Sequence, residues 1–141
     1  MVTAVDIAAA LAKLPVLRAR SADTPEDEAA AAFATLAPLR DGAVFAGSFD
    51  GESPWERHSK GDELVHVLAG ETTLTILTDD GPQVLDMSAG MLTVVPQGCW
   101  HRFHAPKGVT VLTGRRRRAS GRSSTATRST SATPRRPRSG R

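Results

Sequence analysis

The stretch LVHVLAGETTLTILTDDGPQVLDM, residues 64–87, decides how this chain folds. Leu64–Ala69, Thr72–Thr78 and Gln83–Met87 are short runs rich in β-branched and apolar residues, parted by Gly70 and by Asp79-Asp80-Gly81. In Thr72–Thr78 the apolar side chains alternate, with Leu74 and Ile76 on one face and Thr73, Thr75 and Leu77 on the other. A helix would need a period near 3.6, and none is present. Asp80-Gly81 between two such runs predicts a β-hairpin.

The same texture extends outward on both sides. Ala43–Phe49, Leu92–Val95, Cys99–His104 and Val109–Thr113 read as further strands. Asp41-Gly42, Asp50-Gly51, Ala89-Gly90 and Pro106-Lys107-Gly108 supply turn signals between them. Many short strands with no intervening helices point to an all-β domain over residues 41–114, an antiparallel sandwich or barrel. Its apolar supply is Leu64, Val65, Val67, Leu68, Leu74, Ile76, Leu77, Val84, Leu85, Leu92, Val94, Val95 and Phe103.

Residues 1–40 form an Ala-rich extension that reads as two short helices. The first starts after Thr3-Ala-Val-Asp6 and stops near Pro15. For the second, Thr24 is the expected cap, Pro25 the first helical residue, and Glu26, Asp27 and Glu28 the acidic first turn. Ala31, Phe33, Leu36 and Leu39 would be its apolar face.

Charge divides the chain more sharply. Residues 1–114 hold all fifteen acidic residues against eight Lys and Arg, a net charge of −7. Residues 115–141 hold ten Arg and no acid, so the formal +3 of the whole joins two unlike parts. That tail, built only of Arg, Ser, Thr, Ala, Pro and Gly, cannot bury enough apolar surface to offset its ordering entropy and is expected to be disordered. Its ten arginines could neutralise phosphates, but no aromatic residue is interleaved for base stacking, so no specific nucleic acid partner is expected. The same composition also arises when a high-GC gene is read out of frame after Gly114, and an intact reading frame there would exclude this.

A lone Cys99 rules out an intrachain disulfide framework. Asp6 stands where a signal peptide needs positive charge, and Lys13 and Pro15 break the apolar run. A cytoplasmic protein without a membrane span is the expectation.

The residues that carry chemistry sit in two polar islands. Glu56, His58 and Glu63 lie in the first and His101 in the second. If Glu56 and His58 occupy a strand, alternation turns them the same way. Imidazole nitrogen with carboxylate oxygen suits a divalent ion such as Fe, Mn, Zn or Ni. His66 and His104 should face the opposite side from Glu63 and His101. Trp55 and Trp100 read as core or rim packing, and Cys99 as a buried inert thiol.

These islands resemble the two motifs of the cupin superfamily, G-x5-H-x-H-x(3,4)-E-x6-G and G-x5-P-x-G-x2-H-x3-N. Glu56-Arg57-His58 stands in place of H-x-H, followed by Glu63 and Gly70 at matching intervals. Gly90, Pro96-Gln97-Gly98 and His101 keep the spacing of the second. The likeness covers roughly residues 43–114. Glu56 replaces a histidine, Ala105 replaces the terminal asparagine, and Gly51 sits one residue closer than the pattern has it.

The resemblance implies a small jelly-roll barrel with two short N-terminal helices outside it. It implies a metal held by His58, Glu63 and His101, with Glu56 as a carboxylate in the fourth position. Small-molecule ligands and reactions of the dioxygenase or isomerase type go with the superfamily, as do non-catalytic metal or ligand sensors. A barrel with a vestigial site that acts through oligomerisation is the third reading, and a homodimer is the default assembly.

Overall fold

The computed structural model describes residues 2–116. Its elements in chain order are α1 (Ile7–Ala12), β1 (Leu17–Arg20), α2 (Glu26–Ala31), β2 (Phe33–Leu39), β3 (Gly42–Glu52), β4 (Glu63–Thr78), β5 (Gly81–Ser88), β6 (Leu92–Val95) and β7 (His101–Arg116). The strands form one sheet in the order β1-β3-β7-β4-β5, with β2 also on β3 and β6 also on β4. All pairings are antiparallel except β1 with β3.

The central strand, β7, is gripped along its whole length. Its C-terminal half lies between β3 and the first half of β4, and its first residues lie between Ile76 of β4 and Glu56. β4 in turn pairs with β6 through Glu63–His66 and with β5 through Glu71–Thr78. A sheet whose long strands change neighbours midway rolls on itself, the jelly-roll barrel that the sequence leads one to expect.

Where the sequence suggests turns at Asp50-Gly51, Gly70 and Pro106–Gly108, the structure has bulges inside continuous strands. Gly51, Gly70 and Gly108 all take positive φ on neighbouring strands, and the register shifts beside them. At Gly70 a Cβ would strike the carbonyl oxygen of Gly108, so the two backbones close only without a side chain. The bulge also reverses which residues face inward. Glu63, Val65 and Val67 are buried before it, and Thr72, Leu74 and Ile76 after it.

The inner face carries Phe49, Val65, Val67, Leu74, Ile76, Met87, Val95, Phe103, Val109 and Val111. Phe49 stacks edge-on against Phe103 at 5.9 Å. Of the apolar residues available to the core, Leu64, Leu77, Val84, Leu92 and Val94 face outward. The Leu74 and Ile76 face is buried and the Leu77 face is not, as the alternation implies.

The N-terminal region departs furthest from its expectation. Phe33–Leu39 is strand β2 along β3, not the apolar face of a helix, and Leu17–Arg20 is a further strand. The span 1–40 is thus part of the sheet as well as helical. Two short helices remain. Asp6 caps α1 through Ala9 N–H, whereas α2 is capped by Pro25 without a side-chain bond. Thr24 accepts a hydrogen bond from Ser21 N–H instead. Arg115 and Arg116, assigned above to the tail, complete β7, and Arg116 pairs with Asp41 at 2.7 Å. The remaining tail, and its expected disorder, lie outside the described residues. Among the described residues no helix is long and apolar enough to cross a membrane.

Candidate metal centre

Residues 53–62, between β3 and β4, form an irregular strap rather than the strand expected for Glu56 and His58, touching the sheet through one bridge at Glu56. Ser53 anchors the strap, donating N–H to the Phe103 carbonyl and accepting Phe103 N–H on its hydroxyl. Glu56 and His101 exchange both backbone hydrogen bonds at 2.9 Å. Further on, Gly98 N–H reaches the His58 carbonyl, and Gln97 binds Asp62 and the Ser59 carbonyl. These bonds lash the two polar islands together, so four side chains far apart in sequence converge inside the barrel.

Glu63 is the hub. Its Oε2 lies 2.7 Å from His58 Nε2, and its Oε1 lies 3.4 Å from His101 Nε2. Glu56 Oε2 is 3.9 Å from His101 Nε2. Glu56, His58 and His101 each offer a ligand atom, and these atoms lie within 4.8 Å of one another. His101 is fully buried and Glu63 nearly so. The structure brings Glu56, His58 and His101 within reach of one ion and sets Glu63 against the two histidines. His66 is half-buried on the outer side of β4, and His104 is exposed, 3.4 Å from Glu52. Trp55 and Trp100 lie under the guanidiniums of Arg102 and Arg57.

The tautomer of His101 follows from its surroundings. Its Nδ1 lies 3.1 Å from the Cys99 carbonyl oxygen, which can only accept, so Nδ1 carries the hydrogen. In the neutral ring Nε2 is then the lone-pair nitrogen, on the side of the two carboxylates. This is how a ligating imidazole is commonly oriented by a backbone carbonyl. Nε2 of His58 and Nε2 of His101 are both buried without an aligned hydrogen bond, although carboxylate oxygens are near. The two imidazole nitrogens and the Glu56 carboxylate are a donor set that fits a divalent ion, with Glu63 beside them.

Burial alone would push the Glu63 carboxyl up, but His101 and His58 beside it outweigh this and hold it well below its ordinary value. For His101 burial lowers the value, and the contact with Glu63 more than reverses it, leaving a raised imidazole pKa.

Two residues of this site escape a reading of the motifs. Arg20, on β1, lies 3.5 Å from Glu56 Oε1, its guanidinium 4.7 Å above the Phe49 ring centroid. Arg115, on β7, lies 3.4 Å from Glu63 Oε2. Both line a cavity of about 50 Å3 with Glu56, Glu63, Phe33 and Phe103. No local signal marks either one, since each reaches the site through long-range pairing.

The family model described as Cupin domain matches residues 49–113. No curated protein sequence matches the chain. Among solved structures, a cupin-2 domain-containing protein from Shewanella frigidimarina NCIMB 400 is 27% identical, with a TM-score of 0.51 over 60% of this chain and 79% of that one. A cupin superfamily protein from Desulfitobacterium hafniense DCB-2 is 23% identical, with a TM-score of 0.51 over 58% and 72%. A hydroquinone 1,2-dioxygenase from Sphingomonas sp. TTNP3, solved with 4-hydroxybenzoate bound, is 16% identical, with a TM-score of 0.51 over 58% and 63%. At such identities the last two likenesses speak to fold alone.

Proposed function

Residues 49–113 are a cupin domain, and from that premise we propose that the chain holds one divalent metal ion on Glu56, His58, Glu63 and His101 and binds or transforms a small molecule beside it. The observation that carries this reading is the cluster of Glu56, His58 and His101, whose ligand atoms lie within 4.8 Å of one another, with both Nε2 atoms buried and Glu63 set against them. A shared cation would satisfy these buried nitrogens and carboxylates together. Bound there, the ion would act as a Lewis acid toward an oxygen of the small molecule.

The chain's own groups do the rest. Cys99 orients the His101 ring through its carbonyl, the Ser53 and Gln97 bonds hold the strap that carries Glu56 and His58, and Phe33, Phe49 and Phe103 line the adjoining cavity. Glu63, held ionised by the two histidines, offers its charge to a cation, whereas the raised pKa of His101 sets a proton in competition with it.

A second reading has one observation in its favour. Arg20 and Arg115 already place a positive charge beside each carboxylate, as a vestigial site without metal would require. Assembly as a homodimer belongs with either reading, because Leu64, Leu92 and Val94 expose apolar surface on the neighbouring strands β4 and β6.

Elemental analysis of the full chain, purified without a polyhistidine tag, separates the readings. About one ion per chain, lost in His58→Ala and His101→Ala, is the expected result. Trace metal unchanged in both variants would leave the vestigial site as the function to explore.

A further inference from the structure

We propose that the small molecule taken up beside the metal is an organic anion, a carboxylate of a few heavy atoms, with Arg20 and Arg115 as its counter-charges; the inference rests on the metal reading above. The cavity of about 50 Å3 admits only a small ligand or the head of a larger one. Its polar lining consists largely of two carboxylates and two guanidiniums. With neutral imidazoles those charges cancel, so a divalent ion leaves two positive charges in a site walled by Phe33, Phe49 and Phe103. Uncompensated charge in such surroundings is costly, and an anionic oxygen answers it where a neutral ligand does not. A guanidinium also presents a planar fork of donors matched to a carboxylate.

The placing of Arg20 strengthens the case. Leu17 and Arg20 are both buried, yet residues three apart in a regular strand face opposite sides. The register of β1 on β3 shifts between them, and Ala19 takes φ +48. Asp50 holds this bulge, accepting hydrogen bonds from Ala19 N–H and from Arg18. Gly51 makes room for it, since a Cβ there would lie 2.6 Å from Arg20 N. Strained backbone held in this way is characteristic of functional sites. Here it turns a guanidinium into the barrel that would otherwise point to solvent.

The test uses the full chain loaded with Co2+, whose visible absorption reports on its ligands. Glycolate is titrated against ethylene glycol, a neutral molecule of similar size. Glycolate should shift the spectrum saturably and bind at least about tenfold more tightly than the diol. Arg20→Gln should keep its Co2+ and lose about tenfold in glycolate affinity, with Arg20→Lys between the two. Should Arg20→Gln fail to fold, Arg20→Lys and Arg115→Gln carry the comparison. Acid and diol binding equally well, or glycolate binding unchanged in Co2+-loaded Arg20 and Arg115 variants, would overturn the anion proposal alone. A wild-type chain that takes up no Co2+ would overturn the metal reading and this one with it.

Discussion

The two faces of β4 and β7 hold similar residue types to opposite effect. Inside, Glu63 and His101 are almost fully buried, set against each other and against Glu56 and His58. Outside, His66 and His104 come from the same two strands one parity away, and His104 meets Glu52 in water. The apolar residues divide in the same way, Leu74 inside and Leu77 outside. What distinguishes the faces is desolvation. A carboxylate–imidazole contact in water contributes little, whereas inside the barrel it fixes protonation states and leaves ligand atoms with nowhere else to turn.

The largest contrast should appear in core stability. Phe49→Ala removes a ring that touches Phe33 and Phe103 and should cost about 3–5 kcal/mol in urea unfolding. Val84→Ala, 62% exposed on the outer face, should stay within about 0.5 kcal/mol. Comparable costs for the two would mean that the faces are wrongly assigned.

A smaller effect tests the bend that aims Arg20. Gly51→Ala forces a side chain onto φ +94 and against the Arg20 backbone, and should destabilise by roughly 1–3 kcal/mol. An unchanged denaturation midpoint would show that β1 does not seat on β3 as described.

The smallest effect is in the pH profile of the metal-free protein. Glu63, depressed below its ordinary 4.5, adds stability that is complete above that pH and lost as pH falls through the depressed value. His101, raised above its ordinary 6.5, adds stability that is complete below 6.5 and lost as pH rises through the raised value. Stability should therefore be greatest between 4.5 and 6.5 and fall on either side. Glu63→Gln, which removes the charge behind both arms, should flatten the profile. Stability climbing steadily through neutral pH would contradict the pairing.

Much of the inner face is legible in the sequence, for reasons specific to it. Period-two alternation in Thr72–Thr78 puts Leu74 and Ile76 on one face and Leu77 on the other without reference to any other strand. The spacings within each polar island, Glu56 to Gly70 and Gly90 to His101, are likewise local. What escapes is long-range. Phe33–Leu39 sits in an Ala-rich context that favours helix, and only pairing with β3 makes it a strand. Leu17–Arg20 is four residues long with a bulge inside it, which hides its parity and with it the direction of Arg20. Leu92 and Val94 look like core residues, and only the register of β6 on β4 turns them outward.

The most direct test of the account is Zn2+ affinity by chelator competition in two single variants, His101→Ala and His104→Ala. The residues lie three apart on one strand and face opposite ways. Loss of the inner histidine should weaken Zn2+ binding by about 100-fold or more, beyond the 10–100-fold cost of losing only an outer-shell partner, while loss of the outer one leaves it unchanged. Equal affinities in the two variants would contradict a metal centre inside this barrel.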